Sequence, residues 1–459
     1  MLRLFRRVIP GRVAALLASE FILIYLCYVA AAFVFLRPDA QGFLVDDNGW
    51  LRILIVTTCL IVGVYFHDLY SDFRVRTQDL IQHAVVVAGA AFLAEALLTY
   101  LKLPQFVVPV RPMIAGSGLT IVALLAWRIF FLGVLLKVMP SERVLFLGNS
   151  DIVREIAAHL ESHPEKGLTP LGFVHDSNSP CAQRLGALCD LREVVDRLRP
   201  DRIVVGLTER RSSLPVARLL DMRLSGIRIE DALSTYEAAF ERISTRELRP
   251  SQLIFSSTEL GPNRNRVMLQ SVYSMAAAAL ATLIAAPVML CVAILVKLTS
   301  PGPALFRQQR VGKNDRLFTL YKFRSMVTDA EAQSGAVWAQ RNDPRITPVG
   351  RWLRQLRLDE LPQLFNVLKG DMSIVGPRPE RPEFVTELEK RIPYYRHRHC
   401  IKPGITGWAQ INHKYGDSIE DTIVKLEYDL YYIKNLAPTL DAVIMFRTAK
   451  VMLLSRGAQ

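Results

Sequence analysis

Two adjacent carboxylates, Asp359 and Glu360, stand in a stretch with several cations: Arg354-x-x-Arg357-Leu358-Asp359-Glu360-Leu361-Pro362-Gln363-Leu364. Such a pair can divide two tasks. One carboxylate can hold a divalent cation through oxygen ligands, and the other can attack a phosphorus centre or manage a proton. Upstream lie Lys322-Phe323-Arg324-Ser325-Met326 and Asn342-Asp343-Pro344-Arg345-Ile346-Thr347. Downstream lie Gly370-Asp371-Met372-Ser373-Ile374-Val375-Gly376-Pro377-Arg378-Pro379 and Lys402-Pro403-Gly404-Ile405-Thr406-Gly407-Trp408. The basic residues suit a substrate with clustered phosphates. Pro377-Arg378-Pro379 presents a guanidinium on a stiff backbone, which favours anion recognition. A lone Asp-Glu pair is most often a solvated helix face; the chemistry rests on the motifs around it.

The elements that must position these groups begin with an apolar run. Val267 to Val296 carries no charged residue and is flanked by Arg264, Arg266 and Lys297. Pro287 interrupts it, and proline breaks the helical hydrogen-bond ladder. The run reads either as a kinked span or as a re-entrant hairpin over 267–298. A full crossing would carry the remaining basic residues outside, so the phosphate chemistry downstream favours return to the same face.

Four further apolar runs open the chain: Val13–Leu36, Trp50–Phe66, Ala84–Leu101 and Met113–Val138. A bilayer core of about 30 Å takes about 20 apolar residues. The first and last meet this easily; the middle two need tilt or thinning. Arg3, Arg6, Arg7 and Arg12 precede the first run, Arg74 and Arg76 follow the second, and Lys137 and Arg143 close the fourth. The loop after the first run holds one Arg and three Asp; the one after the third holds Lys102 and Arg111. This asymmetry puts the N-terminus and everything after residue 140 in the cytoplasm. Glu20 and Arg128 lie at matching depth, about two turns in, and are expected to pair.

From Arg143 the pattern changes. Val144–Leu147, Leu171–Val174 and Arg202–Gly206 read as buried strands alternating with helices, which implies a parallel α/β sheet. Gly148 sits where a nucleotide-binding turn would sit, but Ser150 and Val153 replace the second and third glycines of the dinucleotide fingerprint. A domain binding another ligand, or mediating contacts, is the favoured reading. Arg210-Arg211 reads as a solvated pair.

The chain has 459 residues, 51% hydrophobic and 22% charged, with a formal charge of +13. That length suits roughly three domains, and the composition excludes both a disordered chain and an all-membrane one. Its parts are residues 1–140, 141–260 and 264–459. The six cysteines, including Cys181, form no C-x-x-C pair, so a zinc ribbon or disulfide framework is not expected. The positive charge suits membrane flanks and a phosphate site rather than nucleic acid, for which no recognition motif is present. Lys390, Arg391, Arg396, His397, Arg398 and Lys402 form a basic cluster for headgroups or donor phosphates, or a solvated face.

Read together and in order, KFRSM, NDPRIT, LDELPQLFNVLKGDMSIVGPRP and KPGITGWAQ resemble the bacterial polyprenyl-phosphate sugar-1-phosphate transferases, the monotopic phosphoglycosyl transferases. The four-span start and α/β middle are similar to the long-form members that initiate exopolysaccharide or O-antigen units. The resemblance implies a four-helix transmembrane bundle, a Rossmann-like domain, and a mainly α catalytic domain anchored by a re-entrant helix broken at Pro287. Family members often carry Ser before that proline; this chain has Ala286. By the same resemblance Asp359 is the nucleophile, and Glu360 is its partner in handling Mg²⁺ and protons. Lys322, Arg324 and Arg354 bind substrate, and Pro377, Arg378 and Pro379 face the nucleotide. The implied partners are a UDP-sugar, undecaprenyl phosphate, membrane lipids and a second copy of the chain as a homodimer. The implied location is the bacterial inner membrane, multi-pass, with the catalytic domain cytoplasmic.

Two rivals compete. A membrane-attached nucleotide-sugar dehydratase or epimerase would use a Tyr-x-x-x-Lys pair, and no Tyr here has Lys four residues later. A non-catalytic polysaccharide-assembly scaffold would leave the dyad dispensable.

Overall fold

The computed structural model describes residues 2–4, 7–9, 11–66, 77–100, 106–176, 183–207, 214–246, 263–327, 343–413 and 418–453. The sequence readings at Arg3, Arg6, Arg7, Arg74, Arg76, Lys102, Lys137, Cys181, Arg210, Arg211 and Asn342 concern residues or side chains outside that description. The chain divides into two units, Met1–Ala232 and Leu233–Gln459.

The first unit opens with four apolar helices: α1 (Gly11–Phe35), α2 (Gly49–Phe66), α3 (Thr77–Tyr100) and α4 (Val110–Phe130), the last continued by a π-helical turn, Phe131–Leu135. Ile24 and Tyr28 of α1, Ile53 and Leu60 of α2, Val87 of α3, and Met113 and Leu124 of α4 share one core. Outward-facing residues are apolar too: Ile22, Leu26, Val34, Val122 and Ile129 are exposed. A helix apolar all round suits a membrane rather than a water-facing surface. Gly11–Phe35 and Val110–Leu135 are long and apolar enough to cross a bilayer; the apolar stretches Gly49–Tyr65 and Ile81–Leu93 are shorter. Glu20 and Arg128 meet as expected. Arg128 Nε donates to Glu20 Oε1 at 2.5 Å and Nη2 to Oε2 at 3.0 Å, with both side chains buried. This fork leaves neither charge alone in an apolar interior.

Arg12, read from sequence as a membrane flank, does more specific work. Its guanidinium donates to the carbonyls of Met139 (2.9 Å), Pro140 (3.1 Å) and Pro164 (2.6 Å). It clasps the start of α1 to the segment entering the next domain.

That domain carries a five-stranded parallel sheet. Its strands are β1 (Glu142–Leu147), β2 (Leu168–Val174), β3 (Arg184–Gly186), β4 (Arg202–Val205) and β5 (Arg228–Asp231), in spatial order β3-β2-β1-β4-β5. Helices α5 (Asp151–Ser162), α6 (Leu191–Leu198) and α7 (Val216–Leu224) supply the crossovers. The central β1 is buried over Leu145, Phe146 and Leu147, as a strand covered on both faces must be.

The second unit is built on α8 (Arg264–Thr299), which runs through Pro287 as one helix and is also long and apolar enough to cross a membrane. Both of its arms pack against the same unit. On the N-terminal arm, Gln270 Nε2 donates to Asp441 Oδ2 (2.9 Å) and the Tyr432 hydroxyl (2.6 Å). The Tyr432 hydroxyl donates to Asp441 Oδ1 (2.7 Å), and the Tyr273 hydroxyl also donates to Asp441. Tyr432 lies on α11 (Ile419–Lys434) and Asp441 on α12 (Pro438–Leu453). On the C-terminal arm, Met289, Val292 and Val296 pack on Phe323, Leu353, Leu358 and Leu361. The opposite side exposes Leu280, Leu283, Ile284, Leu290 and Leu298.

Candidate active site

An antiparallel hairpin, β6 (Leu305–Val311) and β7 (Leu317–Phe323), pairs in unbroken register and delivers Lys322 one residue before its end. Fully buried Asn366, on α10 (Gln363–Lys369), fastens that strand: Tyr321 N donates to its Oδ1 (3.1 Å) and its Nδ2 donates to Thr319 O (2.7 Å). Helix α9 (Pro348–Gln355) begins on a Thr347 cap, whose hydroxyl accepts from Gly350 N at 2.9 Å. Arg357, in the left-handed conformation at φ 55°, reverses the chain into the 3-10 turn Leu358–Glu360. Leu358 and Leu361 bracket the dyad and pack on α8, so the two carboxylates ride on the membrane helix.

The carboxylates have opposite surroundings. Glu360 Oε1 accepts from Lys322 Nζ at 3.0 Å and from Arg378 Nη2 at 2.9 Å. Burial alone would push its pKa up, but Arg378 and Lys322 outweigh it and hold Glu360 well below the usual carboxylate range. Asp359 is 7% exposed and makes no hydrogen bond or ion pair with the described residues. Burial raises its pKa, the repulsion of Glu360 adds to the rise, and the attraction of Lys322, Arg354 and Arg378 opposes it without cancelling it. One carboxylate is neutralised twice over; its neighbour is desolvated and unengaged.

Arg378 owes its position to two chain segments that meet backbone to backbone. β8 (Ser373–Val375) pairs parallel with β9 (Gly404–Thr406). Gly376 N donates to Thr406 O and Gly404 N to Pro377 O, both at 2.9 Å. A Cβ on Gly404 would stand 2.1 Å from Gly376 N, so only glycine permits this approach. Arg310 Nη1 donates to Pro379 O (3.2 Å), and Arg398 Nη2 donates to Arg378 O (2.9 Å). Pro377 and Pro379 thus stiffen a loop that hydrogen bonds pin on both sides.

Other sequence candidates land elsewhere. Arg324 is buried and donates to Ser300 O and Pro301 O (both 2.7 Å) and to the Ser300 hydroxyl (2.7 Å), at the exit of α8. Arg354 Nε donates to Ser325 Oγ (2.9 Å), and its charge acts on Asp359. Asp343 forms a two-pronged pair with Arg345 (2.8 and 2.6 Å), which holds its pKa at about 2.

The basic cluster is not one face. Arg398 is buried, paired with Asp429 (2.9 Å) and bonded to the Tyr395 hydroxyl (2.7 Å). Arg396 pairs with Asp315 (2.6 Å), and Arg391 pairs with Glu387 (2.7 Å). His399 Nδ1 meets Asp315 Oδ1 at 2.7 Å. Burial first, and Arg398 second, lower the His399 pKa to about 4. Sequence reading missed Asn366, Asp429 and the Asp315–His399 contact; only the placement of Asn366 inside a dense motif offered a signal.

The donor set fits a hard divalent cation. Asp359 offers an unengaged carboxylate beside that of Glu360, and such ions commonly take one or two carboxylates plus substrate phosphate oxygens.

An unengaged buried carboxylate beside one paired with Lys322 and Arg378, on a unit built around a long apolar helix, suits a membrane-associated enzyme. Comparison with known proteins narrows this. The family described as "Bacterial sugar transferase" matches residues 265–455. Over 183 residues the chain is 52% identical to the UDP-N-acetylgalactosamine-undecaprenyl-phosphate N-acetylgalactosaminephosphotransferase of Aeromonas hydrophila, covering 40% of this chain and 43% of that protein. It is 45% identical over 191 residues to the undecaprenyl-phosphate glucose phosphotransferase of Komagataeibacter xylinus, covering 40% and 36%. Against the UDP-glucose:undecaprenyl-phosphate glucose-1-phosphate transferase of Xanthomonas campestris pv. campestris it is 32% identical over 423 residues, covering 87% of this chain and 86% of that one. Less than half the length of the first two relatives is matched, but most of the third. The chain belongs to the bacterial sugar transferase family.

Proposed function

We propose that the protein transfers a sugar 1-phosphate from a UDP-sugar to undecaprenyl phosphate and releases UMP, as the first membrane step of exopolysaccharide or O-antigen synthesis. The observation that carries this reading is the contrast at the dyad: Asp359 desolvated and unengaged, Glu360 held by Lys322 and Arg378. A carboxylate stripped of water and partners is a better nucleophile than a solvated one.

In the first half, a carboxylate oxygen of Asp359 attacks the phosphorus bonded to the sugar. The bond from that phosphorus to the bridging oxygen breaks, and UMP leaves with the electron pair. The sugar phosphate is then carried on Asp359 as an acyl phosphate. In the second half, a phosphate oxygen of undecaprenyl phosphate attacks the same phosphorus and frees Asp359. The product is a polyprenyl-diphosphate sugar. Arg378, on its stiff loop, faces the nucleotide end with Pro377 and Pro379, and Lys322 and Arg354 offset the phosphate charge. Arg324, anchored on Ser300 and Pro301, supports the site through the exit of α8. Asp359 and Glu360 would hold Mg²⁺, which supplies charge neutralisation on the phosphates when bound.

The positive residues at both ends of α8, Arg264 and Arg266 at its start and Lys297 at its close, support a helix that enters and returns rather than crosses, with the dyad at headgroup level on the cytoplasmic face of the inner membrane. The basic residues flanking the opening helices support four spans with both termini inside. A homodimer is the proposed assembly.

Purified protein given Mg²⁺, undecaprenyl phosphate and a panel of UDP-sugars tests the proposal. Release of UMP with one donor is expected and names the sugar. Release of UDP would overturn it in favour of ordinary glycosyl transfer.

A further inference from the structure

The α/β domain plays no part in the chemistry above, yet its sheet carries polar groups that its own fold leaves unanswered. Strand order reverses between β1 and β4: the chain leaves β1 toward β2 and β3, then crosses to β4 on the other side. Ligands of open parallel sheets sit outside the carboxyl ends of the strands at such a point. Gly148 follows β1, His175 follows β2 and Gly206 follows β4. Gly148 N donates to Val174 O (2.9 Å) and Gly206 N to Leu147 O (2.8 Å), so the three residues form one row across that edge. His175 is 2% exposed, and neither ring nitrogen has a partner. Asn149 Oδ1 and Ser150 Oγ, in the turn leaving β1, are also buried and unpartnered. Buried polar atoms are nearly always satisfied, so three such side chains in adjacent turns call for an occupant.

Helix α5 starts in the same turn. Ser150 is its N-cap residue, yet its side chain makes no capping bond. Three backbones converge there. Gly148 has φ +103°, and a Cβ on it would lie 2.5 Å from Gly206 O; one on Gly206 would lie 2.0 Å from Val153 Cγ2 and 3.5 Å from Ser150 Oγ. Ser150 Oγ therefore points across the end of β4, not down onto α5. The uncapped amides of the first turn are left for an anion. Asp151, in that turn, is exposed and paired with Arg154, so its charge is offset.

We propose that this crevice binds a nucleoside phosphate. The phosphate is received by the first turn of α5 and Ser150; the hydroxyl or base donors and acceptors of the nucleoside answer Asn149 and His175. The site is separate in the fold from the Asp359–Glu360 dyad, and the proposal does not depend on the reaction assigned there.

Equilibrium dialysis of the full-length protein with AMP, GMP, UMP and inorganic phosphate tests it, with Ser150→Ala and His175→Phe as variants. The site is read as the bound fraction lost in Ser150→Ala, which separates it from UMP bound at the dyad. At least one nucleotide should bind about one per chain and at least tenfold more tightly than inorganic phosphate. Each variant should weaken it tenfold or more. Without nucleotide, Ser150→Ala should melt with the parent and His175→Phe at or above it, since neither removes a bond the fold uses. A purely structural serine cap or core histidine would give the reverse: lower melting and unchanged binding. That result, binding indifferent to both substitutions, no nucleotide binding, or phosphate binding as tightly as nucleotide would each overturn the proposal.

Discussion

Glu20 and Asp359 are both buried carboxylates, and the molecule treats them in opposite ways. Glu20, among the apolar helices of the first unit, is gripped by both prongs of Arg128. Asp359, on the turn that rides on α8, has cations nearby but is held by none; Lys322 and Arg378 go to Glu360 instead. A charge that only has to be tolerated is given a full partner. On the proposed chemistry, the charge that reacts is kept at arm's length from its neutralising groups, and its neighbour absorbs them. The difference separates structural from chemical use of the same functional group more sharply than burial does, since both are below 8% exposed.

The strongest test of that contrast is Asp359→Asn. UMP release should fall by about 10⁴-fold or more. The melting temperature should hold or rise, because a carboxylate whose pKa is raised by burial destabilises the folded state at neutral pH. A parallel loss of stability would return Asp359 to the structural class.

Arg128→Met should do the opposite. Removing one partner of a buried pair costs about 3–5 kcal/mol, and Arg128→Met combined with Glu20→Leu should recover most of it. Thermal melting in detergent measures this, and turnover per folded molecule should change little.

The burial of His399 beside Arg398, only partly offset by Asp315, adds a pH arm. A histidine near 6.5 unfolded and about 4 folded binds its proton less well in the native state. Its contribution is therefore complete above about pH 6.5 and is lost as pH falls toward 4, up to about 3 kcal/mol. Melting at pH 7 and pH 5 should show the decline, and His399→Gln should flatten it.

Glu360→Gln is the mildest of the four. It keeps the shape but frees Lys322 and Arg378 to approach Asp359. Turnover should drop about 10²-fold, with an accompanying change in Mg²⁺ dependence as the measurement of its share in cation binding.

Part of the candidate site is legible in the sequence alone. Asp359 and Glu360 declare themselves by the ordered motifs around them, and Glu20 and Arg128 by equal depth in antiparallel helices. Both signals are local or one-dimensional. The rest depends on chain segments far apart in sequence. Nothing at Gly376 announces that Gly404 will press against it, and nothing in Arg398 distinguishes it from Arg396, although one is buried beneath the Arg378 loop and the other is exposed. Pro287 signals a defect in the hydrogen-bond ladder, yet α8 continues through it, because neighbours on both arms hold the helix whatever one residue's preference. Arg324 has the composition of a phosphate ligand and the contacts of a structural brace. Charge is visible in a sequence; what the charge touches is not.

The grip on α8 sets a mechanical limit. The Gln270–Asp441–Tyr432 knot fixes one end of the helix and the Met289–Val292–Val296 stripe fixes the other, so it can neither roll nor slide without tearing polar bonds or uncovering a core. On the proposed reaction, reach toward the bilayer is thus built into the rigid body itself: the lipid substrate must float to a fixed altitude, and lipids whose reactive end sits higher or lower would be screened out before any chemistry begins.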